Sequence, residues 1–446
     1  MQTRENAPSP TGQKPPIKLG NLLINFTTEF HRIWDSKGSD SKPGSFWRPT
    51  PAPDALPGYF PLGDFAAPGF DNINGKIIVA VVCEGPAEDG DTSPDKALSA
   101  PDDFERVWKD SSSGADADCT VWRPIPPAGY VAMGMVCSNG RDKPLTNTVR
   151  CVREDLVVAS SVSREIWSDS GSGASQDFSA WAIEPPSAEA GEIYFSPGTF
   201  IGVKSHGRPA ANTAAYSLRA PIPMHIDTPP ARPILLGHES PAPEEPAILT
   251  QTAHLPWFTV IDPALAPLEQ FRTSPFYRLQ RSDRYVLVGH GHNTGTTGQT
   301  FKWTAPRAQR MESLEAFTEV TTIRVSSEWP LYVSNPMALH TLLSSSMRFS
   351  AKLGKAFTHT ETSHIGWTTS AAVEVITRIA KKTSLAVHVI ESGYRLLRED
   401  GTQVANDVLY TDIDSLSLSE YPPETEEEAP APAQPAVDPV VTDSAP

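Results

Sequence analysis

The sequence predicts a mainly β protein: a pseudo-threefold β-prism followed by a second β-rich, sandwich-like domain with a short helix. Three observations carry this expectation. Two tryptophans bracketing a Ser/Asp/Gly loop recur three times in the first half. The 44 prolines among 446 residues are about twice the usual ~5% share, and proline is poorly tolerated in helix interiors and central strands. The second half carries Thr/Ser-rich stretches with β-branched residues in place of helical periodicity.

The repeat orders the first half. "RIWDSKGSDSKPGSFWRP" begins at Arg32, "RVWKDSSSGADADCTVWRP" at Arg106 and "EIWSDSGSGASQDFSAWAI" at Glu165. Each copy places a β-branched residue before a Trp, then a loop, then a second Trp 13 or 14 residues later. The pairs are Trp34/Trp47, Trp108/Trp122 and Trp167/Trp181; successive first tryptophans lie 74 and 59 residues apart. Proline-rich arms follow, "RPTPAPDALPGYFPLG", "RPIPPAGYVAMG" and the degraded "AIEPPSAEAGEIYFSPG". One such unit is too small to bury both faces of its sheets. Three packed about a common axis, filled by tryptophan, solve that problem. Residues 19–219 are therefore expected to form the prism, with all six tryptophans in its core.

The string "WRPIPPAGYVAMG", Trp122 to Gly134, and the "DSSSGA" loop before it resemble the vacuolar protein sorting-associated protein sixty-two family. The resemblance runs from about Leu19 to Leu218. Copy one carries an insertion, Ala52 to Leu56, and copy three has Ala182 in place of the arginine and no clean Gly-Tyr turn. Three identical lobes are therefore not implied. The family name implies trafficking, and the module resembles a binding domain without known catalytic residues.

Residues 1–18 are expected to be disordered, as is the tail 422–446, whose acidic, proline-rich composition buries too little to order itself. Residues 220–256 read as a proline-rich linker. The segment 257–421 reads as a β-rich domain built from "DRYVLVGHG", "EAFTEVTTIRVSSEW", "SMRFSAKLGKAFTHTETSH" and "SLAVHVIESGYRLLREDG". "NPMALHTLLSSS" predicts the short helix, with Asn335 as N-cap and Pro336 in the first turn. "EDG", Glu399 to Gly401, predicts a hairpin turn. Long Thr/Ser-rich strands suit an ordinary sandwich or a pore-forming barrel with a polar inner face. The run "YRLQRSDRYVLVGHGHNTGTTGQTF" followed by "SLEAFTEVTTIRVSSEW" resembles the C-terminal region of bacterial insecticidal-type proteins bearing the same N-terminal module. That resemblance implies a toxin-like domain.

A net charge of −16 argues against nucleic acid as the partner. The N-terminus lacks the apolar core of a secretory signal, and no window reaches 18 uninterrupted apolar residues. The expectation is a soluble chain without a transmembrane helix, cytoplasmic or released without a classical signal and compatible with peripheral membrane association. Cys83, Cys119, Cys137 and Cys151 fit no zinc spacing and are expected as reduced thiols.

The candidate ligand residues sit in the three loops: Asp35, Asp110 and Asp169, with Ser113 and Ser172. Asp and Ser on a glycine-rich backbone can hydrogen-bond sugar hydroxyls or supply oxygens to calcium; equally, they form Asx turns between strands. Arg48 and Arg123 suit a phosphate or carboxylate clamp, or a stack on an aromatic, or a pair with an aspartate. Tyr59 and Tyr130 suit sugar stacking or turn anchoring. His290 and His292 of "GHGHN" share one side of a strand, as two metal ligands would, with His254, His359 or His364 as a third ligand; the alternative is exposed loop histidines. No cofactor is implied. No nucleophile elbow, phosphate loop, dinucleotide fingerprint or metalloprotease motif occurs, so no enzyme is expected. The leading function is a recognition protein for a glycan or lipid headgroup at a membrane surface, with a toxin-like, pore-forming C-terminal domain that would oligomerise. The alternatives are an intracellular trafficking adaptor or scaffold and, more distantly, a hydrolase with a dispersed site.

Overall fold

The computed structural model describes residues 14–51, 56–86, 96–305, 348–352 and 373–423. Its first half is a threefold arrangement of six-stranded units. In each unit strands two, three and five form an inner sheet, and strands one, six and four form an outer one. Unit one has Phe30–Asp35, Gly44–Pro49 and Phe65–Pro68 inside, with Leu22–Thr27, Val79–Glu84 and Phe60–Pro61 outside. Unit two repeats this with Asp103–Lys109, Cys119–Ile125 and Val136–Asn139, backed by Leu98–Ser99, Cys151–Arg153 and Tyr130–Val131. Unit three does so with Ser161–Ser168, Ser179–Glu184 and Phe200–Val203, backed by Val157–Ala159, Tyr216–Pro221 and Glu192–Phe195. This is the pseudo-threefold β-prism.

A bulge recurs in every inner hairpin. Arg32 pairs with Trp47 and Trp34 with Phe46, skipping Ile33. Arg106 pairs with Trp122 and Trp108 with Val121, skipping Val107. Glu165 pairs with Trp181 and Trp167 with Ala180, skipping Ile166. The skipped residue is the β-branched one of the motif. A bulge opposes two residues to one, and here Ile33, Trp34, Val107, Trp108 and Trp167 enter one buried cluster, with Ile166 against it. The second tryptophans are buried elsewhere: Trp47 with Phe30, Phe65 and Ile77, and Trp122 with Phe104 and Val149.

The C-terminal half centres on an antiparallel five-stranded sheet, in the order Met224–Ile226, Ile248–Pro256, Phe276–His292, Ser384–Leu397 and Val408–Tyr421. Gln299–Ala305 pairs with Val373–Ile379 as a separate ribbon. The longest strand alternates strictly at its start: Tyr277, Leu279, Arg281, Asp283 and Tyr285 are buried, as the period of two requires. The outer sheets of the prism and the C-terminal sheet share one apolar cluster. Phe26 meets Trp257 edge to face at 5.7 Å, and Phe195 packs on Phe258 at 5.0 Å.

Several boundaries differ from the sequence expectation. Ile17 and Lys18, assigned to the N-terminal segment, belong to a strand that pairs with Leu22–Ile24. The expected linker 220–256 contains two strands, Met224–Ile226 and Ile248–Pro256. Flanking prolines hid them, although Thr250, Ala253 and Leu255 are buried in the sheet. The helix found is Pro267–Thr273, with proline at its first turn. The helix expected over 335–346, all of "EAFTEVTTIRVSSEW" and most of the acidic tail lie outside the described residues. Gly401, at φ 85°, makes the turn expected at "EDG".

Candidate functional site

The prism axis is closed by the first tryptophan of each copy. Trp34 lies 6.1 Å from Trp108 and 5.6 Å from Trp167, and Trp108 lies 6.3 Å from Trp167, all edge to face. Each indole N–H then reaches into the next copy's loop. Trp34 donates to the Ala117 carbonyl at 2.7 Å, Trp108 to Gln176 at 3.0 Å and Trp167 to Lys42 at 2.7 Å. Ala117, Gln176 and Lys42 each stand five residues before their copy's second tryptophan, so the bonds form a closed ring. The loops also bond directly: Asp116 N donates to Lys37 O at 2.7 Å and Ser175 N to Ser111 O at 3.0 Å.

This lock places the loop candidates in two classes. Asp110 and Asp169 stand two residues after their tryptophans; their counterpart in copy one is Ser36, not Asp35. All three are buried, and their amides donate to equivalent carbonyls, Gly44, Cys119 and Phe178. Asp169 accepts from Phe178 N at 2.8 Å, from Trp108 Nε1 at 3.1 Å and contacts His206 Nε2 at 2.5 Å. Burial pushes the Asp110 carboxyl above its ordinary range, opposed by the Ser113 hydroxyl and reinforced by Asp118 and Asp169. Ser113 and Ser172 are buried and accept from Ala115 N and Ala174 N, each at 3.1 Å. Asp35 pairs with Arg32 at 3.0 Å. Gly38, Ser112 and Gly171 occupy one equivalent left-handed position, at φ 87°, 68° and 89°. Ser112 therefore holds a conformation that favours glycine.

The outer rim of the loops exposes Asp40, Asp116, Asp118 and Asp177 beside Lys37 and Lys42. Arg141 pairs with Asp118 at 3.3 Å. These acids and His206 carry no motif of their own. Only the loop alignment brings them to one end.

The arginine and tyrosine candidates lie apart from that end's lock. Arg48 forms a bidentate pair with Asp64, at 2.9 and 3.0 Å, and donates to the Cys137 carbonyl at 2.6 Å. Asp64 is fully buried, and burial raises its carboxyl against the pull of Arg48. Arg123 pairs with Glu105 at 3.2 Å on the surface. Tyr59 is half-buried, its phenol pushed up to about 12 by desolvation. Tyr130 donates to the Lys96 carbonyl at 2.7 Å.

"GHGHN" divides across the long strand. A Cβ at Gly289 would fall 2.2 Å from the Trp303 ring and one at Gly291 2.8 Å from Phe301. The glycines thus seat the stacked Phe301/Trp303 pair, and His290 and His292 take the other side. His292 Nδ1 lies 2.7 Å from Ser384 Oγ. Among the described residues no group of three His, Cys, Asp or Glu side chains could hold a metal.

Residues 7–222 match the family described as Vacuolar protein sorting-associated protein 62, as the Trp-Arg-Pro string led one to expect. No curated protein matches the chain. Solved structures that are similar in part include two. GNIP1Aa from Chromobacterium piscinae is 22% identical, with a TM-score of 0.35, over 45% of this chain and 37% of that one. Cry35Ab1 is 10% identical, with a TM-score of 0.35, over 73% of this chain and 91% of that one. This chain therefore spans well under half the length of the first. Among the described residues no helix is long and apolar enough to cross a membrane.

Proposed function

We propose a non-enzymatic recognition protein whose prism binds a hydroxyl-rich ligand, foremost a glycan, and whose C-terminal sheet is a membrane-active, toxin-like effector. The exposed loop rim carries the first part. Asp110, Asp169, Ser113 and Ser172 are committed to the interior, while Asp40, Asp116, Asp118 and Asp177 remain exposed at the same end. Carboxylates accept hydrogen bonds from sugar hydroxyls and repel an anionic headgroup. With Arg141 already paired to Asp118, the rim favours neutral hydroxyls over phosphate.

Strand length supports the second part. The three central and edge strands run 17, 14 and 14 residues, against a usual ~5–6. At ~3.3 Å per residue the longest spans roughly 56 Å, beyond the ~30 Å of a bilayer's hydrocarbon. The family description favours a second reading, an adaptor in membrane trafficking whose prism captures a protein. Binding of the full chain to immobilised glycans, to neutral liposomes and to anionic liposomes separates these readings: glycan binding supports the first, and binding to none of the three favours the adaptor.

A further inference from the structure

One face of the C-terminal sheet is crossed by residues 235–245. The register sets His292 beside Ser384 and Ser384 beside Tyr421, with His290, Ala386 and Ser419 in the next row; these rows share a face. Leu235 N donates to Ser419 Oγ at 2.6 Å, and His238 Nδ1 lies 2.9 Å from Ser384 Oγ. Further along, Leu287 N donates to Pro243 O at 2.8 Å and Glu245 N to Tyr285 O at 3.0 Å. Glu244 pairs with Arg284 at 2.7 Å.

We infer that residues 235–245 form a strap that acid releases from the long strands, with His290 and His388 as the proton acceptors. The His238 and His292 rings lie 4.3 Å apart, both with Nδ1 on the single Ser384 hydroxyl. That hydroxyl can donate to one ring and accept from the other, so it ties the strap to the long strand. Beneath the strap His388 is buried, and its Nδ1, like His290 Nε2, has no hydrogen-bond partner among the described residues.

The surrounding charges mostly oppose protonation. Burial lowers the His388 imidazole, and Glu245 of the strap counters it. Burial also lowers His290, reinforced by His292 and His238. Tyr421 meets His238 edge-on at 5.0 Å, Lys381 and Lys382 lead into Ser384, and Glu239 follows His238 on the strap. Glu420 alternates to the other face. An imidazole lowered in the closed state binds its proton more readily in the open one. Strap closure is therefore complete above the ordinary histidine range, ~6.5, and weakens as pH falls below it. The device belongs to the fold alone; that it regulates membrane action rests on the function proposed above.

The test is amide hydrogen exchange on the full chain at pH 7.5 and 5.5, corrected for intrinsic rates. Protection of the Leu235, Glu245 and Leu287 amides should fall about tenfold or more on acidification, while Val121 and Val389 hold theirs. The double variant His290→Gln/His388→Gln should keep strap protection at both pH values. Should the double variant disturb folding, His290→Gln alone, at a half-buried position, should roughly halve the logarithmic loss. Equal protection at both pH values in the wild type, or an equal loss in all variants, would overturn the inference. Liposome leakage plays no part in this readout, so failure of the membrane-active reading leaves it intact.

Discussion

Trp167 donates its indole N–H to the carbonyl of Lys42, 125 residues earlier in the chain, at 2.7 Å. That bond joins the third copy back to the first and closes the ring begun by Trp34 and Trp108. The axis is thus both an apolar core and a polar lock, and the two can be tested separately.

Trp108 is 1% exposed at the axis. Trp108→Ala should cost about 3–5 kcal/mol, the usual range for an emptied aromatic site, read as a loss of chemical-denaturation stability. Trp108→Phe keeps most of the ring and loses the indole bonds to Gln176 and Asp169, so its cost should be smaller, about 1–2 kcal/mol. Equal costs would show that the lock matters more than the packing.

Asp110 has a buried oxygen, Oδ1, without a hydrogen-bond partner among the described residues, and its carboxyl is raised by burial and by Asp118 and Asp169. A raised acid binds its proton more tightly in the folded state, so folding is penalised as pH climbs through the carboxylate range. Asp110→Asn should raise the melting temperature at pH 7 by about 1–3 °C, and the gain should vanish below pH ~3.9. A gain that persists at low pH would contradict this assignment.

Arg48→Ala leaves the fully buried Asp64 without its guanidinium. Breaking a buried pair from one side typically costs about 3–5 kcal/mol. The loss should shrink at acid pH, where Asp64 can take up a proton instead. Thermal unfolding across pH 4 to 8 checks both the size and the slope.

Full-length protein should release dye from liposomes that display the bound glycan, and not from bare ones. Release from every liposome alike would point to nonspecific insertion. Glycan binding without release would leave the prism reading standing and remove the effector role from the C-terminal sheet.

Much of this fold was legible because the repeat constrains it three times over. The β-branched residue before each first tryptophan marks the bulge, and the paired tryptophans mark the two faces of the inner hairpin. The site was less legible. Asp35, Asp110 and Asp169 look equivalent in sequence, yet copy one is one residue shorter in its loop, and Ser36 takes the shared position. Burial then removes Asp110 and Asp169 from the surface, a property fixed by the neighbouring copies' loops rather than by the local string. The strands Met224–Ile226 and Ile248–Pro256 escaped notice because proline-rich flanks mask a polar, Thr-bearing alternation. The glycines of "GHGHN" answer to Trp303 and Phe301, a contact across strands that the local string does not announce.

The most direct test of the proposed recognition is glycan-array binding by the full chain and by the double variant Asp116→Ala/Asp177→Ala. Both residues are exposed on the rim, so the melting temperature should not move. Charge-assisted hydrogen bonds to hydroxyls are worth about 1.5–3 kcal/mol each, so losing two should weaken glycan binding by a factor of roughly a hundred or more. Wild-type binding to anionic liposomes in place of glycans, strengthened by the same two substitutions, would contradict the account.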